Sequence, residues 1–133
     1  MCLQMLLLAH VSVAEEQKFI AQLHANTPQE LSALLDRAES WAKHATAYPK
    51  HPIAIVLHGP EANVFIKKNY GQYQSLVDQA AKLDAFKVVD IKICERWMGF
   101  NNIKRDQLPA FVDTVPFGPA EEKRLIKAGY QSF

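Results

Sequence analysis

Residues 53–57 read IAIVL, with Pro52 before them and His58-Gly59-Pro60 after them. Five consecutive apolar residues, three of them β-branched and bounded by Pro and Gly, predict a strand buried on both faces. Upstream, Thr27-Pro28-Gln29-Glu30 opens a helix. Thr27 suits the N-cap, Pro28 the first helical position, and Glu30 the third position of a capping box. Leu31, Leu34, Leu35, Ala38, Trp41, Ala42 and Ala45 recur at three- and four-residue spacing, so the helix should run from Pro28 to about Ala45. Tyr48-Pro49-Lys50-His51-Pro52 ends it, and Lys18–His24 (KFIAQLH) is a short strand candidate before it.

Downstream, a helical stretch is expected from about Glu61 to Leu83, broken near Asn69–Gly71. Val88–Cys94 (VVDIKIC) and Phe111–Val115 (FVDTV) read as strands, with a short helix over Glu95–Phe100 between them. A last helix starts at Gly118-Pro119-Ala120-Glu121-Glu122, with Lys127 in its last turn and Gly129 beyond. Tyr130–Phe133 is a final short strand. This alternation implies right-handed crossovers and a parallel sheet covered by helices. The expected fold is α/β: a three-layer α/β/α single domain with a mainly parallel sheet of four to five strands.

Composition narrows the function classes. The chain has 133 residues, 49% of them hydrophobic and 22% charged, which suits one globular domain. Fifteen Lys and Arg stand against 14 Asp and Glu, a net charge of +1, so there is no basic excess for nucleic acid. Two cysteines cannot build a disulfide framework.

Met1–Ala14 (MCLQMLLLAHVSVA) differs from the rest, because every charged residue lies at Glu15 or beyond. An apolar run, a small-x-small ending at Ser12-Val13-Ala14 and an abrupt Glu15-Glu16 have the layout of a secretory signal, although no Lys or Arg precedes the run. The stretch is too short for a membrane span, which needs about 20 apolar residues. The expectation is a signal peptide over 1–14, a domain over 15–133, and a periplasmic or secreted protein. The alternative is an N-terminal hydrophobic strand in a cytoplasmic one.

In open parallel sheets, chemistry gathers beyond the carboxyl ends of the strands. His24, His58 and Cys94 stand at three such ends. Cys94 alternates in phase with Asp90 and Lys92 rather than with Val89, Ile91 and Ile93. A helix start and Arg96 just after it would stabilise a thiolate, while Glu95 would oppose it. Cys94 is therefore either a reactive thiol or a buried, inert one. His58, in HGPE, is either a proton shuttle near Cys94 or a turn residue. Gly59 and the helix start at Glu61–Asn63 offer backbone N–H groups to an anion. HGPE is not a phosphate loop, and GxGxxG is absent. Zinc accepts ligands such as His24, His58 and Cys94, but no HExxH, CxxC or HxxxH spacing supports it, so no metal and no other cofactor is expected.

Three segments together carry a resemblance: IAIVLHGPEANVFIKKNY from Ile53, VVDIKICERWMGFNNIKRDQL from Val88, and FVDTVPFGPAEEKRLIKAGYQSF from Phe111. The HGP ending of the strand, KxNY at Lys67–Tyr70 and LIKAGY at Leu125–Tyr130 resemble the DsrE-like family of small sulfur-relay proteins. The resemblance spans about Lys18 to Phe133. It implies a three-layer fold, homo- or hetero-oligomers, and a cysteine at the position of Cys94 that carries sulfur as a persulfide, as in TusD-type subunits. Arg96, His58, Asn63 and Gly59 would then support the thiolate or shape its pocket. Partners would be sulfur donor and acceptor proteins or small sulfur compounds. The competing expectations are a non-catalytic oligomeric module that binds a small sulfur compound or a protein, and a His/Cys metal-binding protein.

Overall fold

The computed structural model describes residues 16–133. The signal-peptide reading of residues 1–14 lies outside them. Five strands form one sheet: β1 (Phe19–Ala21), β2 (Ile53–Leu57), β3 (Val89–Cys94), β4 (Asp113–Val115) and β5 (Gln131–Ser132). Their spatial order is β4-β3-β2-β1-β5, and all four pairings are parallel. Four α-helices accompany them: α1 (Pro28–His44), α2 (Tyr70–Ala85), α3 (Glu95–Phe100) and α4 (Gly118–Lys127). The described residues thus form a single α/β domain with an all-parallel sheet.

β2 is central because every one of its five residues is buried. Ile53, Ile55 and Leu57 join Val89, Ile91 and Ile93 of β3 on one face, where Leu31, Leu34, Leu35 and Ala38 of α1 and Val77, Ala80 and Leu83 of α2 cover them. Ala54 and Val56 point the other way and meet Ile20, Val115 and Leu125 of α4. One helix therefore covers a face whose counterpart takes two. Lys92, on that second face of β3, reaches Glu121 of α4 at 3.7 Å.

Three elements differ from the expectation. Residues 60–69 form two 3-10 helices, Pro60–Phe65 and Lys67–Asn69, rather than the start of one long helix. Ile66, with ψ 125°, is extended and separates them. Ala62, Val64, Phe65 and Ile66 are all buried, a set too dense for one stripe of an α-helix. The break expected near Asn69–Gly71 is present, since the second 3-10 helix ends at Asn69 and α2 begins at Tyr70, and a further kink falls inside α2 at Tyr73 (φ −120°, ψ 24°). β4 is shorter than predicted, because Val112 N–H bonds to Pro109 O at 3.2 Å and the Phe111 ring packs edge-on against Phe65. β1 is shorter too: Gln22, Leu23 and His24 lie past its end.

The start of α1 is built as its sequence implies, with one change. Glu30 N–H donates to Thr27 Oγ1 at 3.1 Å. The Glu30 carboxylate does not return to Thr27. It accepts from the N–H groups of His24, Ala25 and Asn26 at 2.6, 2.7 and 2.9 Å. The His24 bond, aided by the other two against some desolvation, holds the carboxyl below its ordinary value of 4.5. A carboxyl depressed on folding stabilises the native state above its unfolded pKa, and this is lost as pH falls through the folded one. Glu39, bonded to Lys82 and Gln79, and Glu121, bonded to Arg124, are lowered in the same direction. Asp84 opposes them: burial, then Asp90 and Asp113, raise it, so its contribution weakens as pH rises. Glu16, bonded to Lys50, is lowered as well, and four depressed carboxyls against one raised give a net acid loss. The melting temperature is expected to fall between roughly pH 5 and pH 3. Glu30→Gln should melt lower than wild type at pH 7 and show a shallower acid decline. Parallel curves for the two proteins would remove Glu30 from the explanation.

Candidate functional site

All strands run the same way, so the residues that follow them collect along one edge of the sheet. Gln22 and His24 follow β1, His58 follows β2, Cys94 ends β3, and α4 begins three residues after β4. The first residue of α4, Gly118, is wedged between two of these ends. A Cβ on Gly118 would stand 3.0 Å from the His58 Cβ and 3.2 Å from the Cys94 Cβ. His58 and Cys94 are thereby brought together, as the sequence suggested. Cys94 is free and only 2% exposed.

His58 is held from two sides. Its Nε2 lies 2.6 Å from Oε1 of Glu122, a carboxylate that is itself buried in α4. The second Glu122 oxygen accepts from Gln22 Nε2 at 2.7 Å. Gln22, Glu122 and His58 thus form a chain of side chains from β1 through α4 to β2. An adjoining cleft of about 310 Å³ is lined by His24, His58, Pro119, Glu122, Lys123 and Ile126, among others.

Sequence reasoning missed Glu122 and Gln22. Glu122 reads as one more acid in the first turn of α4, a common place for solvated charge. A signal was present nonetheless. Gly118, Glu122 and Leu125 sit at spacings of four and three, and these are the buried residues of the helix. An acid on the inward stripe of an amphipathic helix calls for a buried partner.

The remaining sequence candidates fall elsewhere. The anion seat proposed at Gly59 is already filled by the chain. His58 N–H and Gly59 N–H both donate to Oε1 of Glu61 at 3.1 Å. Glu61 is 1% exposed, so no external anion reaches those donors without displacing it. A Cβ at 59 would meet Glu61 Oε2 at 2.8 Å and Asn26 Cβ at 3.1 Å, so a larger residue there must displace the Glu61 carboxylate. Asn63 donates to Pro60 O at 3.0 Å and closes its own turn. Arg96 is exposed and its guanidinium lies over the Phe117 ring at 4.2 Å, next to the covering glycine. Glu95 accepts from Thr114 Oγ1 at 3.0 Å. Among the described residues, no group of three or more His, Cys, Asp or Glu side chains is arranged to hold a metal ion. No helix among them is long and apolar enough to cross a membrane.

No protein-family model matches the sequence, and no curated protein matches it. Among solved structures, the chain is similar to the protein of unknown function MTH1491 from Methanobacterium thermoautotrophicum. The two align with a TM-score of 0.71 and 14% identity, over 88% of this chain and 97% of that one. At that identity, what the likeness establishes is the α/β fold.

Proposed function

We propose that the protein is a sulfur carrier that holds sulfur as a persulfide on Cys94. One observation carries the reading: a free thiol at the carboxyl end of β3 packs with His58 against the first residue of α4. That helix has ten residues and no side-chain cap at its N-terminus. Its free N–H groups favour negative charge as it develops on a neighbouring sulfur. The resemblance to DsrE-like sulfur-relay proteins, in which a cysteine at this position carries sulfur, supports the same reading.

The chemistry is a thiol exchange. The Cys94 thiolate attacks the outer sulfur of a donor persulfide, R–S–SH. A new S–S bond forms to Cys94, the donor S–S bond breaks, and R–S⁻ leaves. The outer sulfur changes carrier without net oxidation. Because Cys94 is buried, loading requires a local opening that exposes the thiol. The expected result is a reducible gain of whole sulfur atoms on intact wild-type protein after incubation with inorganic polysulfide, and none on Cys94→Ser. Equal gain on both proteins would sink the assignment.

The burial of Cys94 also favours a second reading, a non-catalytic module that binds a small sulfur compound or a protein partner in the cleft beside His24, His58 and Lys123. It predicts binding that survives Cys94→Ser and leaves no covalent adduct. Intact mass and equilibrium dialysis on the same two proteins separate the readings.

A further inference from the structure

A cleft of about 310 Å³ opens at the carboxyl edge of the sheet, between the residues that follow β1 and β2 and the first turns of α4. Parallel sheets take their ligands at this edge, and a concave apolar site with a few converging polar groups is the usual form of a ligand pocket. Leu23, Pro119 and Ile126 supply apolar walls here, and His24, His58 and Lys123 the polar groups. Ile126 is 48% exposed, so an apolar side chain stands uncovered at the rim. The lining holds one carboxylate, Glu122, and both of its oxygens are engaged inside the protein. Oε1 lies 2.6 Å from His58 Nε2, and Oε2 accepts from Gln22 Nε2 at 2.7 Å. Lys123, the next residue of α4, is exposed and has no carboxylate within ion-pair distance among the described residues. On His58, Cδ2 is the ring atom beside Gly118 and Nε2 faces Glu122, which leaves Nδ1 as the nitrogen not engaged by either. His24 is exposed, and Glu30 of α1 takes its backbone N–H, not its ring.

We infer that this cleft binds a small organic anion, with the charged group of the ligand on Lys123 and the imidazoles of His58 and His24, and its apolar body against Leu23, Pro119 and Ile126. The inference rests on the second reading above, that the cleft is a binding site, and is independent of sulfur loading at Cys94. The sign of the ligand follows from the lining. Lys123 carries a charge with no partner, each imidazole can donate, and the one negative group is turned inward. A cationic ligand would have to draw Glu122 away from His58 and Gln22, which breaks contacts that a buried carboxylate requires. A neutral ligand of the same shape keeps the apolar contacts but forgoes charge-assisted hydrogen bonds, which are stronger than neutral ones. The volume is at the lower end for a ligand pocket, which suits a small body rather than a nucleotide or a peptide.

The test uses three thioethers of nearly one shape: methylthiopropionate, methylthiopropionamide and methylthiopropylamine, at pH 7 and constant ionic strength. They place a negative, a zero and a positive charge on the same body, and having no thiol they cannot exchange with Cys94. Titration is followed by two-dimensional amide NMR spectra of the isotope-labelled protein, which report where each compound sits as well as how tightly. The anion should bind about 10-fold more tightly than the amide, and the amine most weakly, with shifts centred on Leu23, His24, His58, Lys123 and Ile126. Lys123→Gln, a change at an exposed position, should lose most of the preference for the anion while binding the amide as wild type does. His24→Gln should weaken the anion a few-fold and leave the amide unchanged. Equal binding of anion and amide in the cleft of wild type, or tighter binding of the amine, overturns the inference and leaves the cleft a binding site. A full preference for the anion in Lys123→Gln also overturns it. If none of the three compounds shifts the cleft resonances at millimolar concentration, or shifts arise only elsewhere, the inference and the binding-module reading fall together.

Discussion

Glu61→Gln is expected to stabilise the protein, and Glu61→Leu to destabilise it by about 2–4 kcal/mol. Oε1 of Glu61 is the acceptor for two backbone N–H groups, those of His58 and Gly59. Oε2 is buried with no partner, and so is Oδ1 of Asn26. Both residues crowd Gly59: a Cβ there would lie 2.8 Å from Glu61 Oε2 and 3.3 Å from Asn26 Cγ. Glutamine keeps the acceptor and turns the orphaned oxygen into an NH₂ donor beside a second orphaned acceptor. One gained hydrogen bond and one charge fewer in the interior are together worth about 1 kcal/mol or more. Leucine has a similar volume but no acceptor. It leaves two N–H groups buried and unpaired, each costing about 1–3 kcal/mol, offset in part by the charge removed. At this chain length 1 kcal/mol moves the melting temperature by roughly 4 °C, so thermal melts resolve opposite signs. A loss in Glu61→Gln would mean that Asn26 presents its amide nitrogen, already paired with the carboxylate. Leucine at wild-type stability would mean that water reaches the turn.

Gly118→Val should cost about 1–3 kcal/mol and disturb the site at the same time. The nearest neighbours of a new Cβ are the Cβ atoms of His58 and Cys94, each fixed to a strand end, not the tips of flexible chains. Alanine is close to break-even, because its better helix propensity offsets a contact of 3.0 Å by up to about 1 kcal/mol. Valine adds two methyl groups to the same gap. The first turn of α4 must then lift from the sheet, and Cys94 becomes more accessible. The expected result is a lower melting temperature with faster labelling of Cys94 by a thiol reagent under native conditions. A protein that melts lower while its thiol stays as protected as in wild type would show that the strain is relieved elsewhere in α4.

The central elements of the fold are legible because local chemistry and tertiary demand agree there. IAIVL can only be satisfied by cover on both faces, and all five residues are buried. Thr27-Pro28 announces α1 because the cap needs only neighbouring residues. Gly129 takes φ 100° just past α4, where Tyr130 N–H bonds back to Leu125 O at 3.1 Å. The meeting of His58 with Cys94 is legible for a topological reason: in a parallel sheet all carboxyl ends share an edge.

The stretch from Pro60 to Asn69 illustrates the limit. A helix is expected there, yet it breaks at Ile66, where packing against α1 and α2 decides the backbone. Glu61 stands at the expected helix start, and its carboxylate folds back onto its own turn to take the N–H groups of His58 and Gly59.

By itself the sequence determined the α/β class, the core of β2 and the sheet edge at which His24, His58 and Cys94 collect, because burial patterns and caps act over a few residues. Only the tertiary structure decided that Glu122, 64 residues beyond His58 and 100 beyond Gln22, would join them both. Only it decided that Gly118 would pack against the Cβ atoms of His58 and Cys94. Those contacts depend on how α4 crosses the second face of the sheet, and no local periodicity encodes that placement.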